Sequence, residues 1–148
     1  MTRKSSSRGL GKGMISILVL VVFAFSAPSE ETLPRDLVSG LLKEFADAFN
    51  HGDAEALADL LHPEMEEGPG GVPVRLQDKE DLVKELSSEI DGAQKTQGRI
   101  VEAELGDYDP DTKQYSVFFS FELEGDTEGY IVPKTFQGSV LILDLDLD

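Results

Sequence analysis

At 148 residues the chain has room for one domain with a single core, not two. Its charge is uneven: residues 1–26 hold Arg3, Lys4, Arg8 and Lys12 and no acid, while the remaining 122 carry nine basic and 29 acidic residues, a net of −20. That excess repels phosphate backbones and anionic lipid headgroups, which argues against nucleic acid and membrane surfaces as partners. With no cysteine and only His51 and His62, disulfide staples and a structural zinc site are disfavoured as well.

A basic, Ser/Gly-rich start, the apolar run Met14–Phe25 and the small residues Ala24, Ser26 and Ala27 follow the three-part layout of a secretory signal peptide. Ala24 and Ser26 fall at −3 and −1 for cleavage after Ser26, so the mature protein is expected to begin at Ala27 and to be periplasmic or extracellular. The apolar run falls short of the roughly 20 residues that span a bilayer, so no membrane attachment is expected after cleavage. Residues 27–34 read as a proline-bounded linker, and 35–148 as the domain.

Leu37, Val38, Leu41, Leu42, Phe45, Ala48 and Phe49 recur at helical spacing and predict a first helix with one apolar stripe. Gly52 is placed to end it in the left-handed conformation, and Asp53 to cap a second helix that stops at His62-Pro63. Glu64–Gly71 is irregular, and Val72–Leu76 suggests a short edge strand limited by Pro73. Asp78 opens a third helix carrying Leu82, Val83, Leu86 and Ile90, closed by Gly92, with a polar loop to Gly98.

The period then changes to two. Strands are predicted over Arg99–Leu105, Gln114–Leu123, Tyr130–Gln137 and Ser139–Asp148, with turns at Asp107–Lys113 and Glu124–Gly129. In the second strand Tyr115, Val117, Phe119, Phe121 and Leu123 face one way, and Phe118 interrupts the polar side. In the last, Leu141, Leu143, Leu145 and Leu147 alternate with Asp144, Asp146 and Asp148. Helices followed by an antiparallel sheet predict an α+β domain with the helices on one sheet face.

The segments FADAFNHGD, AEALADLLHPEM and DKEDLVKEL ahead of the strands resemble the NTF2-like (SnoaL-like) superfamily, from about Leu33 onward. The resemblance implies a cone of three helices wrapped by a curved sheet. It says little about activity, because the fold hosts enzymes, ligand binders and interaction modules. In ketosteroid-isomerase-like members a first-helix tyrosine donates to the oxyanion and an acid after the second helix moves the proton. Here Phe45 stands at the tyrosine's place without a hydroxyl, and Glu66 and Glu67 lie in a Gly/Pro loop.

His62, at the end of the second helix, is either a general base at the cleft or a histidine favouring the helix dipole, and His51 is the latter. Asp107, Asp109 and Asp111 have the spacing that opens a calcium loop, but Thr112 and Phe118 occupy the positions of its glycine and bidentate acid, so a hairpin turn is expected. No metal or cofactor is expected. The leading expectation is non-catalytic binding of a small apolar ligand in a cleft lined by Phe45, Phe49, Leu61, His62, Met65, Phe119 and Tyr130. The alternatives are a cofactor-free isomerase, cyclase or dehydratase using His62, and an interaction module dimerising through the sheet face, which an exposed Phe118 would favour.

Overall fold

The computed structural model describes residues 33–147; the expected signal peptide, its expected cleavage site and most of the expected linker lie outside them. Helix α1 (Arg35–His51) buries Val38, Leu41, Leu42, Ala48 and Phe49 along one stripe. Gly52 ends it at φ 65°, a left-handed conformation that costs glycine little. Its N–H and that of Asp53 return to the carbonyls of Phe49 and Ala48 (3.1 and 2.9 Å). The Asp53 carboxylate then accepts from the Ala56 N–H at 3.0 Å and starts α2 (Ala54–Ala58).

Helix α2 is shorter than predicted. Beyond Ala58 one tighter turn follows, in which the Leu60 and Leu61 N–H groups reach the Leu57 and Ala58 carbonyls at 3.0 and 3.2 Å, and the chain then leaves the helix to bond a strand. The Leu60 carbonyl accepts from the Ile142 N–H and the His62 N–H donates to the Ile142 carbonyl, both at 2.8 Å. The Val72–Leu76 segment is not a strand either. Two short 3₁₀ turns, Pro69–Gly71 and Val74–Leu76, replace it, and the Gln77 side-chain amide ties the loop by donating to the Pro69 and Val72 carbonyls. Helix α3 (Lys79–Gln97), capped by the Asp78 carboxylate on the Asp81 N–H at 2.8 Å, runs past Gly92 and stops at Gly98. Its last turn is anchored where the Gln94 amide donates to the Phe49 carbonyl at the end of α1, which thereby accepts a second hydrogen bond beside that from the Gly52 N–H.

Four strands follow as an antiparallel meander in the order β1 (Ile100–Asp109), β2 (Gln114–Phe121), β3 (Gly125–Phe136), β4 (Ser139–Leu147). β1 and β3 reach further into the turns than predicted, whereas β2 stops two residues early, at Phe121. The first reversal is reduced to Pro110–Lys113, where the Asp109 carboxylate accepts from the Asp111 N–H at 3.0 Å, the side-chain turn expected of aspartate and not a calcium loop. The second is only Glu122–Glu124, so Leu123 is exposed and most of Glu124–Gly129 is strand. The predicted phase of β4 fails near its start. A register shift beside Val132 and Pro133 moves one residue across the pleat, and Ile142, not Leu141 or Leu143, is fully buried.

The helices pack on one face of the sheet, α1 against β1 and β4, and α2 against α3. This is the α+β class predicted and the arrangement that the NTF2-like resemblance implies. The free edge of β1 is occupied by α1 side chains. Asn50 exchanges two hydrogen bonds with the Ile100 backbone (2.9 and 2.7 Å), and Arg35 donates to the Leu105 and Gly106 carbonyls. Such covering removes an edge on which another strand could pair. Among the described residues no helix is long and apolar enough to cross a membrane.

Candidate functional site

The cleft expected from the sequence falls in the interior. Phe49, Met65 and Phe119 are buried, and Phe45 and Leu61 pack half-buried against the same cluster. The rings form a continuous run: Phe45 to Phe49 at 6.4 Å, Phe45 to Phe119 at 6.0 Å, Phe49 to Phe121 at 6.2 Å and Phe119 to Phe121 at 6.0 Å. These distances lie in the range of packed aromatic pairs. Six of the seven predicted cleft residues thus point inward, but as core side chains filling the space between α1, the following loop and the sheet. Tyr130 is separated from them. Its neighbour Ile131 is fully buried, and alternation sends Tyr130 to the opposite face.

His62 is not at a cleft rim. Its residue is 1% exposed. Nδ1 accepts from the Glu64 N–H at 3.0 Å, which leaves the ring proton on Nε2, 3.3 Å from the Thr135 carbonyl. Phe136 meets the ring edge-on at 5.4 Å. With its own N–H on Ile142, His62 braces the loop after α2 against β3 and β4. Neither ring nitrogen is left to take a proton from a ligand. The helix-dipole reading fails too, since α2 ends four residues earlier, at Ala58. His51 does sit at the end of α1, where Nδ1 meets the Asp47 carbonyl at 2.7 Å.

Of the loop acids, Glu66 pairs with Arg75 at 2.7 Å and both are exposed. Glu64 pairs with Lys134 at 2.8 Å, and the Lys134 hydrogen bond and charge hold its carboxyl below the ordinary range. Neither is a desolvated base.

The open face of the sheet is different. Glu102 and Glu104 of β1, Phe118 and Ser120 of β2, and Asp126 and Glu128 of β3 line a half-open groove of about 590 Å³. Strand register sets Phe118 between Glu104 and Glu128, and Ser120 between Glu102 and Asp126. Phe118 is 41% exposed although it lies mid-strand in the middle of the sheet. The Ser120 hydroxyl donates to Asp126 at 2.8 Å. Glu102, Glu104 and Glu128 have no hydrogen-bonding or ion-pair partner through their carboxylates among the described residues.

The next row continues the pattern with Ser116, Tyr130 and Asp146. The Tyr130 hydroxyl lies 3.4 Å from Asp144. The negative charge of Asp144 above all, then burial and Asp146, raises the phenol's pKa. The exposed Phe118 was legible as a break in the polar side of its strand. Asp126 and Glu128 beside it were not, because Glu124–Gly129 reads as a loop until its pairing is known. A second, shallower depression of about 420 Å³ lies along the α1–α2 hinge, lined by Glu44, Asp47, His51, Asp53 and Asp59 among others. Among the described residues no group of three or more His, Asp or Glu is placed to hold a metal ion.

The chain matches no protein-family model and no curated protein. It is similar to the solved structure of a designed NTF2-fold protein, Rd1NTF2_05, with 18% identity and a TM-score of 0.49 over 74% of this chain and 94% of that one. It is also similar to a DUF4783 family protein from Bacteroides ovatus ATCC 8483, with 12% identity and a TM-score of 0.44 over 79% and 94%.

Proposed function

We propose that this is an exported, non-catalytic binding domain whose working surface is the open face of the sheet. One contrast carries the proposal: the interior is filled by its own aromatic rings, while Phe118 is held in water at the centre of the opposite face. A buried pocket needs room for its ligand, and an aromatic kept exposed amid polar neighbours is the commoner mark of a docking surface. The enzyme alternative lacks its parts. Phe45 offers no hydroxyl, both nitrogens of His62 are engaged, and Glu66 is an exposed ion-pair partner.

Two measurements test this. Titrating isotope-labelled protein with a 5-ene-3-ketosteroid should leave the amides of Phe49, Met65 and Phe119 unmoved and give no turnover. Peptides selected on an array should lose binding to Phe118→Ser while that variant melts as the wild type does. Saturable steroid shifts at the interior residues, or turnover abolished by His62→Ala, would overturn the proposal.

A further inference from the structure

Resting on the sheet-face reading, we infer that the groove around Phe118 takes an extended segment of a partner protein bearing Lys or Arg at every second position. The groove lining holds four carboxylates and no basic side chain. The cation of β3, Lys134, lies six residues along the strand from Glu128 and is held by Glu64. The acids of β1 and β3 share one face across the intervening β2, and like charges at that range repel one another. A cation seated among Glu102, Glu104, Asp126 and Glu128 relieves that repulsion, and nothing within the described residues supplies one.

Spacing narrows the partner. The rows Glu102–Ser120–Asp126 and Glu104–Phe118–Glu128 are two residues apart along each strand, a separation of roughly 6.5–7 Å. In an extended peptide, side chains i and i+2 recur at that same interval. A segment lying along the strands therefore presents successive basic side chains to successive rows. In the Phe118 row, carboxylates flank the ring two strand spacings apart, roughly 9.5 Å. A guanidinium or ammonium stacked over the ring sits between them, gaining cation–π and ionic contacts together.

A second copy of this chain is the wrong occupant. A twofold interface sets one patch against itself, which here places carboxylates against carboxylates. The sheet face as a homodimer interface is thus replaced by a heterologous, cationic partner.

The full protein is titrated, with amide shifts followed, against two short peptides of equal length. One alternates Arg or Lys with Ser; the other carries Gln in place of each basic residue. The alternating peptide should shift outward residues of β1, β2 and β3. Its affinity should fall about tenfold or more from low to high salt, and several-fold in Glu104→Gln/Glu128→Gln, whose melting temperature holds or rises. Equal, salt-independent binding of the Gln peptide at the same face would overturn the charge inference and leave the sheet-face reading standing. Concentration-dependent self-association through this face would overturn the cationic partner and leave the sheet-face reading standing; shifts confined to other surfaces would overturn both.

Discussion

At the scale of single residues, His62 shows how position can mislead. A histidine before a proline at a helix end looks available, yet this one is buried and hydrogen-bonded at both ring nitrogens. Replacing it with alanine leaves the Glu64 N–H and Thr135 carbonyl without partners and opens a cavity. His62→Ala should therefore cost about 2–4 kcal/mol in denaturant unfolding, well beyond the 1 kcal/mol of a surface site. Phe49→Ala should cost about 3–5 kcal/mol and Phe45→Ala less, because the Phe45 ring is only partly buried. Tyr130 gives a pH-dependent counterpart. Its folded pKa is raised above the unfolded value near 10, so its stabilising contribution is complete below pH 10 and is lost as pH rises through the folded pKa. Alkaline stability should fall less steeply in Tyr130→Phe than in the wild type, as measured by denaturant melts on either side of pH 10.

Elements were legible where a local rule decides them and illegible where a distant segment does. The α1 stripe, the Gly52 stop and the Asp53 cap follow from spacing and cap chemistry, and all are present. The end of α2 depends instead on Ile142, about 80 residues away. The Phe118 groove likewise needs the pairing of β2 with β3, which no window of sequence contains. Gly92 makes the point quantitative. It looks like a helix end but lies exposed inside α3 with open space where a side chain would go, the extra turn being anchored by Gln94. Gly92→Ala should stabilise the protein by about 0.5–1 kcal/mol. Gly129 should behave oppositely. A Cβ there would run into the Asp146 carbonyl and approach the Leu147 Cα to 2.8 Å, so Gly129→Ala should force β3 and β4 apart and cost about 1–3 kcal/mol or more. Parallel chemical melts of the two variants check both signs.

For the whole molecule the governing quantity is charge. A net of −20 on residues 27–148 makes the folded state repel itself. The ion pairs Arg75–Glu66, Lys79–Asp59, Lys95–Asp91 and Lys134–Glu64 are all largely exposed, and such pairs typically contribute under about 1 kcal/mol each. Screening should relieve the repulsion more than it weakens these pairs, with the Debye length shrinking from about 10 Å at 0.1 M to about 3 Å at 1 M. The melting temperature should therefore rise with sodium chloride; a flat or falling value would mean that local pairing dominates. The same screening opposes capture of a basic segment at the Phe118 face, so added salt should move stability and binding in opposite directions. At low salt the alternating basic peptide should raise the melting temperature most, because it adds binding free energy and removes repulsion together. That increment should shrink as salt approaches 1 M even while the free protein becomes more stable. Scanning calorimetry with and without the peptide, across a salt series, separates the two effects; an increment that stayed constant would assign the binding to apolar contact with Phe118 alone.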